Sequence, residues 1–363
     1  MRRVLMTVSA TALTAGGAYA GGIERSTQSV AILFEKGNYV EFSLGDVSPN
    51  VSGVQQYPVT GNSSGDMAGD YTTWSLGVKV AITDKLDFAL VLDEPIGADV
   101  DYKTGTGYAY AGSTAAIDAH ALTAMLRYKL DGGFSVIGGL RAQQSEGEVA
   151  LYTGYTMETS KELDYGYLVG VAWEKPEIAA RVSLTYNSAI DHDFTTAENP
   201  GAGPDIPSKM EVTVPQSLHL EAQTGIAADT LLFGSIRWVD WSEFVIAPTV
   251  YSTYYGNLVD YDGDTITYSI GIGRRFNETW SGAITASYED AIGGFSGNLG
   301  PTDGATSVGL ATTYTRGPMK ITGGVRYVWL GDTETAVPTT NVTFGKFKDN
   351  EGVALGLRIG YSF

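Results

Sequence analysis

The last stretch of the chain, 351–363, reads as two interleaved rows. Val353, Leu355, Leu357, Ile359, Tyr361 and Phe363 form one, and Ala354, Gly356, Arg358, Gly360 and Ser362 form the other. Side chains alternate across a strand, so this stretch has one wholly apolar face and one small, polar face. A run of about ten residues, apolar on one side and aromatic at its end, matches the span of a transmembrane strand. An edge strand of a soluble sheet shows the same alternation, so the remainder of the chain decides between them.

The same period-two pattern recurs at 40–44, 74–82, 86–93, 122–130, 134–141, 163–173, 178–186, 218–223, 232–238, 266–272, 280–288, 308–314 and 319–329. With the closing stretch this makes about fourteen strands, single-sequence boundaries being good to a few residues. The connections are short at 83–85, 131–132, 174–176, 227–229, 277–279 and 317–318. They are long at 47–70, 95–116, 143–161, 190–210, 243–264, 290–304 and 331–350. Strict alternation of short and long links puts every long loop at one end, as in an outer-membrane barrel with short periplasmic turns. Lipid supplies no partner for a bare N–H or C=O, so the strands must pair all the way round. Trp173, Trp238, Trp280, Trp329, Tyr128, Tyr186 and Phe363 fall at strand ends, where interfacial aromatic girdles belong. Inward positions carry both signs of charge, among them Glu41, Lys79, Asp87, Arg141, Arg181, Glu221 and Arg237.

Composition narrows the function. There is no cysteine, which excludes disulfides, thiolate metal sites and cysteine nucleophiles. A formal charge of −18 repels phosphates, so nucleic acid is not an expected partner. Residues 1–20 have the layout of a secretory leader: Arg2 and Arg3, an apolar core, then Ala18-Tyr19-Ala20. Elsewhere the chain contains no apolar run long enough for a membrane helix. Residues 21–37 break the alternation, and Val30-Ala31-Ile32-Leu33-Phe34 is continuously apolar. Such a run cannot face lipid and water in turn, and a short plug tucked inside the barrel accounts for it. The expected fold is therefore all-β: a closed antiparallel transmembrane barrel over 38–363 with a short N-terminal plug at 21–37. A monomer is expected, embedded in outer-membrane lipid, with the terminal Phe363 presented to the barrel-assembly machinery.

Motifs of chemistry are sparse. The three histidines are scattered, without metal-ligand spacing. Asp260-Tyr261-Asp262-Gly263-Asp264 lacks the glutamate and glycine placement of a calcium loop and reads as an acidic tip. His219 and Ser217 share a face, a weak trace of a hydrolytic pair. One long loop is unusually apolar: Val245, Ile246, Ala247, Val250 and Tyr251, followed by Tyr254, Tyr255 and Leu258. An exposed apolar surface marks a binding site, or else it folds inward at the barrel rim.

Several segments, taken in order, are similar to one family. They are Asp93-Glu94-Pro95-Ile96-Gly97-Ala98-Asp99 after the third strand, Tyr186-Asn187-Ser188-Ala189-Ile190-Asp191-His192 at the end of the seventh, Val214-Pro215-Gln216-Ser217, and Arg237-Trp238-Val239-Asp240-Trp241-Ser242-Glu243-Phe244. In order and spacing the chain resembles the long-chain fatty acid and hydrophobic-compound transporters of outer membranes (FadL/TodX-like, OMPP1). That family's plug carries an Asn-Pro-Ala-Gly segment; here the place reads Leu33-Phe34-Glu35-Lys36-Gly37. The resemblance implies passive uptake of a hydrophobic small molecule, a fatty acid or similar, with no cofactor and no catalysis. For such a solute the expected contacts are the apolar loop residues Val245, Ile246, Val250 and Tyr251 outside and Ile32, Leu33 and Phe34 inside, with Arg141 or Arg237 anchoring a carboxylate. The alternative is a general aqueous porin for small polar solutes.

Overall fold

The computed structural model describes residues 22–363; the leader assigned to 1–20 lies outside the described residues. Fourteen strands form the wall: β1 Tyr39–Asn50, β2 Tyr71–Ala81, β3 Leu86–Asp93, β4 Thr114–Lys129, β5 Phe134–Ala150, β6 Glu162–Lys175 and β7 Ala180–Asn187. The remainder are β8 Ser217–Ala227, β9 Thr230–Val239, β10 Thr265–Arg275, β11 Trp280–Glu289, β12 Ala305–Arg316, β13 Met319–Leu330 and β14 Glu351–Ser362. Each is antiparallel to its sequence neighbour, and β1 closes on β14 in continuous register from Tyr39↔Ser362 to Asn50↔Glu351. Every strand expected from the alternation is present, in the expected order.

The apolar rows point outward. Leu355 is 52% exposed and Ile284 55%, values for a core residue only if the core's partner is lipid. Tyr128 and Trp280 stand beside short turns and Phe363 at the chain end, whereas Tyr288 and Trp329 stand beside long loops. They form the two belts that interfacial aromatics favour. Inward positions are small, polar or charged. Lys79, 2% exposed, bonds Asp87 at 2.8 Å, and Lys129 reaches the same carboxylate at 2.8 Å. Gly360 faces inward against Tyr39; a Cβ there would lie 2.0 Å from the Tyr39 hydroxyl, so only glycine lets that ring fold across the lumen.

The long loops are built, not loose. Gly53–Gln55, Thr333–Ala336, Thr343–Phe347 and Phe295–Ser296 make a separate four-stranded sheet. It packs on an aromatic cluster with Tyr102 and Tyr108 stacked at 5.5 Å and Phe344 edge-on to Tyr108. The link read as loop at 190–210 is instead a hairpin, Ile190–Asn199 with Ile206–Val214. It continues β7 and β8 past a break at Ser188, whose hydroxyl accepts from the Tyr167 amide at 2.9 Å. Its own period-two pattern (Ile190, His192 and Phe194 against Met210, Val212 and Val214) continues the wall's logic with an apolar inner face.

Candidate functional site

The segment before β1 touches inward-facing side chains from end to end. Glu24 is held by Arg237, whose Nε lies 3.0 Å from both carboxylate oxygens. Ser26 and Ser29 donate to Asp93 at 2.6 Å and Glu221 at 2.8 Å. The apolar run forms a 3-10 turn, Ala31–Phe34, that buries Ile32 and Leu33. The Phe34 ring lies between two guanidiniums, Arg127 at 4.2 Å and Arg181 at 4.5 Å from its centroid. Each is a cation–π contact worth about 0.5–1 kcal/mol or more when desolvated. Lys320 bonds Glu35 at 3.0 Å, and Lys79 donates to the Gly37 carbonyl at 2.8 Å.

The wall is interrupted in one place beside this segment. β3 stops at Asp93, and Pro95, which has no N–H, turns the chain inward. Pairing with β4 resumes over Gly97–Asp101. The β2–β3 ladder begins only at Leu76↔Leu92, while β2 pairs β1 up to Tyr71. Among the described residues, no strand therefore pairs with 71–75 on that side. The inturned chain bonds the N-terminal segment instead: Arg25 donates to the Pro95 carbonyl at 2.9 Å, and Gly97 to that of Ile23 at 2.9 Å. Gly97 has no room for a side chain, since a Cβ would sit 2.4 Å from the Arg25 guanidinium.

Directly inside the interruption lies a chamber of about 100 Å³, with Ile96 and Ala98 in its wall. Ile117 and Val149 of β4 and β5, Phe194, Met210 and Val212 of the hairpin, and Phe244, Ile246 and Tyr261 of the next loop complete it. Burial pushes the Tyr261 phenol well above its ordinary range. The loop bearing Ile246 is fixed by a short helix, Thr249–Tyr255, whose Val250 and Tyr251 amides donate at 3.0 Å to the buried Glu198 carboxylate. Tyr155 donates to the same group at 2.8 Å, and the Ser208 hydroxyl donates to it as well. Burial alone would raise the Glu198 pKa; these donors outweigh it and hold the carboxyl below its ordinary range.

Below the chamber the lumen changes character. A polar cavity of about 180 Å³ is walled by Asp93, Arg181, His219, Glu221, Arg237 and rows of Ser and Thr. At the end with short turns, a vestibule of about 640 Å³ opens past Phe34, Arg127 and Lys129.

The expected contact residues separate accordingly. Ile246 lines the chamber and Tyr251 packs beside it against Tyr155, ring centroids 4.9 Å apart. Val245 is half-buried and Val250 serves through its amide. Ile32 lies on the polar cavity, and Leu33 and Phe34 on the vestibule. Arg237 holds Glu24, while Arg141 is buried, bonded to Thr123 at 3.3 Å and Asn187 at 2.9 Å. Ser217 accepts from Asn187 at 3.3 Å. Sequence reading missed Ile96, Phe194, Met210 and Val212; the alternation within 190–214 was the available signal for the last three.

A lipid-facing barrel with an apolar chamber behind a break in its wall defines a class: outer-membrane channels for hydrophobic compounds, not general porins. The chain belongs to the outer membrane protein transport family (OMPP1/FadL/TodX), whose family model matches residues 10–290. No curated protein matches its sequence. Among solved structures it is similar to a Pseudomonas aeruginosa FadL homologue at 14% identity, covering 92% of both chains with a TM-score of 0.76. It is also similar to the P. putida toluene transporter TodX, at 12% identity over 91% of both chains and a TM-score of 0.63. The Ralstonia pickettii toluene transporter TbuX matches at 12% identity over 97% of this chain and 100% of the other, TM-score 0.63.

Proposed function

We propose that this outer-membrane channel takes up hydrophobic molecules passively, a fatty acid or a small aromatic, without a cofactor or a catalytic step. Its relatives TodX and TbuX transport toluene. The reading rests on one observation, the apolar chamber walled by Ile96 and Ala98 just past Pro95, where the wall strand β3 has ended and the chain turns inward. A greasy solute crosses the polar outer leaflet poorly; loop residues Val245, Ile246, Val250 and Tyr251 would collect it and the chamber would hold it. The polar cavity beneath is a barrier to such a solute, so release runs sideways through the wall into the bilayer. Residues 21–37 act as plug to the barrel of 38–363, with Ile32, Leu33 and Phe34 seating it and residues 1–20 removed as leader. Of the two arginines expected to anchor an acid's carboxylate, Arg237 is already taken by Glu24, which leaves Arg141, bonded to Thr123 and Asn187, as the cation lower in the lumen. The barrel works as a monomer in outer-membrane lipid, delivered by the assembly machinery through Phe363.

The experiment compares cells with and without the protein for uptake of labelled oleate and toluene, beside sucrose leak in liposomes. Uptake of either hydrophobic probe without sucrose leak is expected. Sucrose leak without hydrophobic uptake overturns the reading.

A further inference from the structure

At the floor of the chamber three side chains from three elements form a chain of hydrogen bonds. Asp164 of β6 lies 2.8 Å from His192 Nδ1, and His192 Nε2 lies 3.3 Å from Ser145 Oγ of β5. His192 is 1% and Ser145 4% exposed, and both line the chamber. The Asp164 carboxylate can only accept, so it takes the Nδ1 proton and leaves Nε2 as an acceptor. The Ser145 hydroxyl then donates to Nε2. Its oxygen receives one Gln143 Nε2–H at 3.3 Å, the same amide nitrogen lying 3.4 Å from His192 Nε2, and keeps one lone pair free. The series thus presents an acceptor to an otherwise apolar space.

Asp, His and Ser in this order also form a nucleophile relay, which needs donors for an oxyanion. Here Ser145 sits within two ladders, opposite Ala119 of β4 and Glu162 of β6, and the Gly147 amide is taken by Thr159 at 2.9 Å. With the nearby amides engaged, the arrangement binds and does not react.

The remaining lining sets size and charge. A cavity of about 150 Å³ holds one benzene. At about 100 Å³ this chamber is smaller still, so it suits a compact molecule and leaves most of a long acyl chain outside. The lining holds no lysine or arginine to receive a carboxylate; Glu146 and Glu148 alternate with the inward Ser145 and Val149, and Glu146 is paired with Lys161 at 2.6 Å. We propose that the chamber selects compact, uncharged apolar molecules bearing one hydroxyl, phenols or small alcohols, with Ser145 Oγ accepting the hydroxyl proton. This rests on the reading that the chamber holds the transported compound.

The test measures binding to the full chain in nanodiscs of phenol, its methyl ether anisole, and oleate. The phenol is expected to bind about tenfold tighter than the ether, about 1.4 kcal/mol. Ser145→Ala should bring the two together. Asp164→Asn offers an N–H to Nδ1, moves the ring proton to Nε2 and turns the Ser145 hydroxyl outward. It should therefore weaken the phenol and strengthen acetophenone, an acceptor of similar size. Heat-modifiable mobility on gels checks that each variant is a folded barrel. Equal binding of phenol and ether by the wild type, a phenol preference that survives both substitutions, or tighter binding of oleate overturns the inference and leaves the channel assignment standing. If no hydrophobic probe binds and sucrose leaks, the channel assignment itself fails.

Discussion

Glu198 shows how one buried charge organises the outer face. Its carboxylate accepts from two helix amides and two hydroxyls contributed by three separate segments. Hydrogen bonds to a charged group are worth roughly 1.5–3 kcal/mol, and an unpaired buried charge costs more. Because its pKa is depressed in the fold, the stabilisation is complete above the ordinary carboxylate range and is lost only as pH falls through the lower, folded value. The loop at 245–258 should therefore resist protease equally at pH 7 and pH 5 and loosen only in stronger acid. Glu198→Gln should loosen it at every pH, by roughly 1.5–3 kcal/mol in amide hydrogen exchange of Val250 and Tyr251, without unfolding the barrel. Protection that falls between pH 7 and pH 5, or that survives the substitution, would contradict this account.

The N-terminal segment touches inward-facing side chains along its length, and as the proposed plug it would keep water from running through the lumen. Its anchors are spread along its length: Arg237 to Glu24, Asp93 to Ser26, Glu221 to Ser29 and the paired guanidiniums around Phe34. Deleting 22–37 should raise ion conductance in planar bilayers several-fold, and Phe34→Ala should give a smaller rise. Unchanged conductance on deletion would deny it the role of plug. This segment was visible in the sequence because Val30 to Phe34 refuses to alternate. The strands were visible for the opposite reason: a wall with lipid on one side and water or side chains on the other imposes period two on every residue that crosses it. The chamber was not visible. Ile96, Val149 and the hairpin pair Phe194 and Met210 come from separate links and strands, and only closure of the barrel gathers them around Ile246, which the apolar loop had already pointed to. Arg141 and Arg237, both inward cations, were indistinguishable on paper. One is enclosed by Thr123 and Asn187 and the other neutralised by Glu24, because of which neighbours the register supplied.

The barrel's stability depends on lipid as much as on internal contacts. Its outward Leu, Ile and Val side chains remain half exposed until a bilayer covers them. Ile284 lies near the middle of β11, so Ile284→Arg should cost about 2–4 kcal/mol in urea titrations of the protein folded into liposomes. The same change at Thr285, which faces the polar cavity, should cost much less. Equal costs at the two positions would mean that the outward face is not lipid-bound.

The first strand is stitched to the last. Tyr39 to Asn50 finds its second neighbour only in Glu351 to Ser362. A polypeptide cut short by a premature stop has no seam to make, and its two raw edges remain unsealed. Completeness of synthesis is thereby tested by geometry alone: a fragment cannot persist as a leaking hole in the envelope, because without its final dozen residues there is no cylinder.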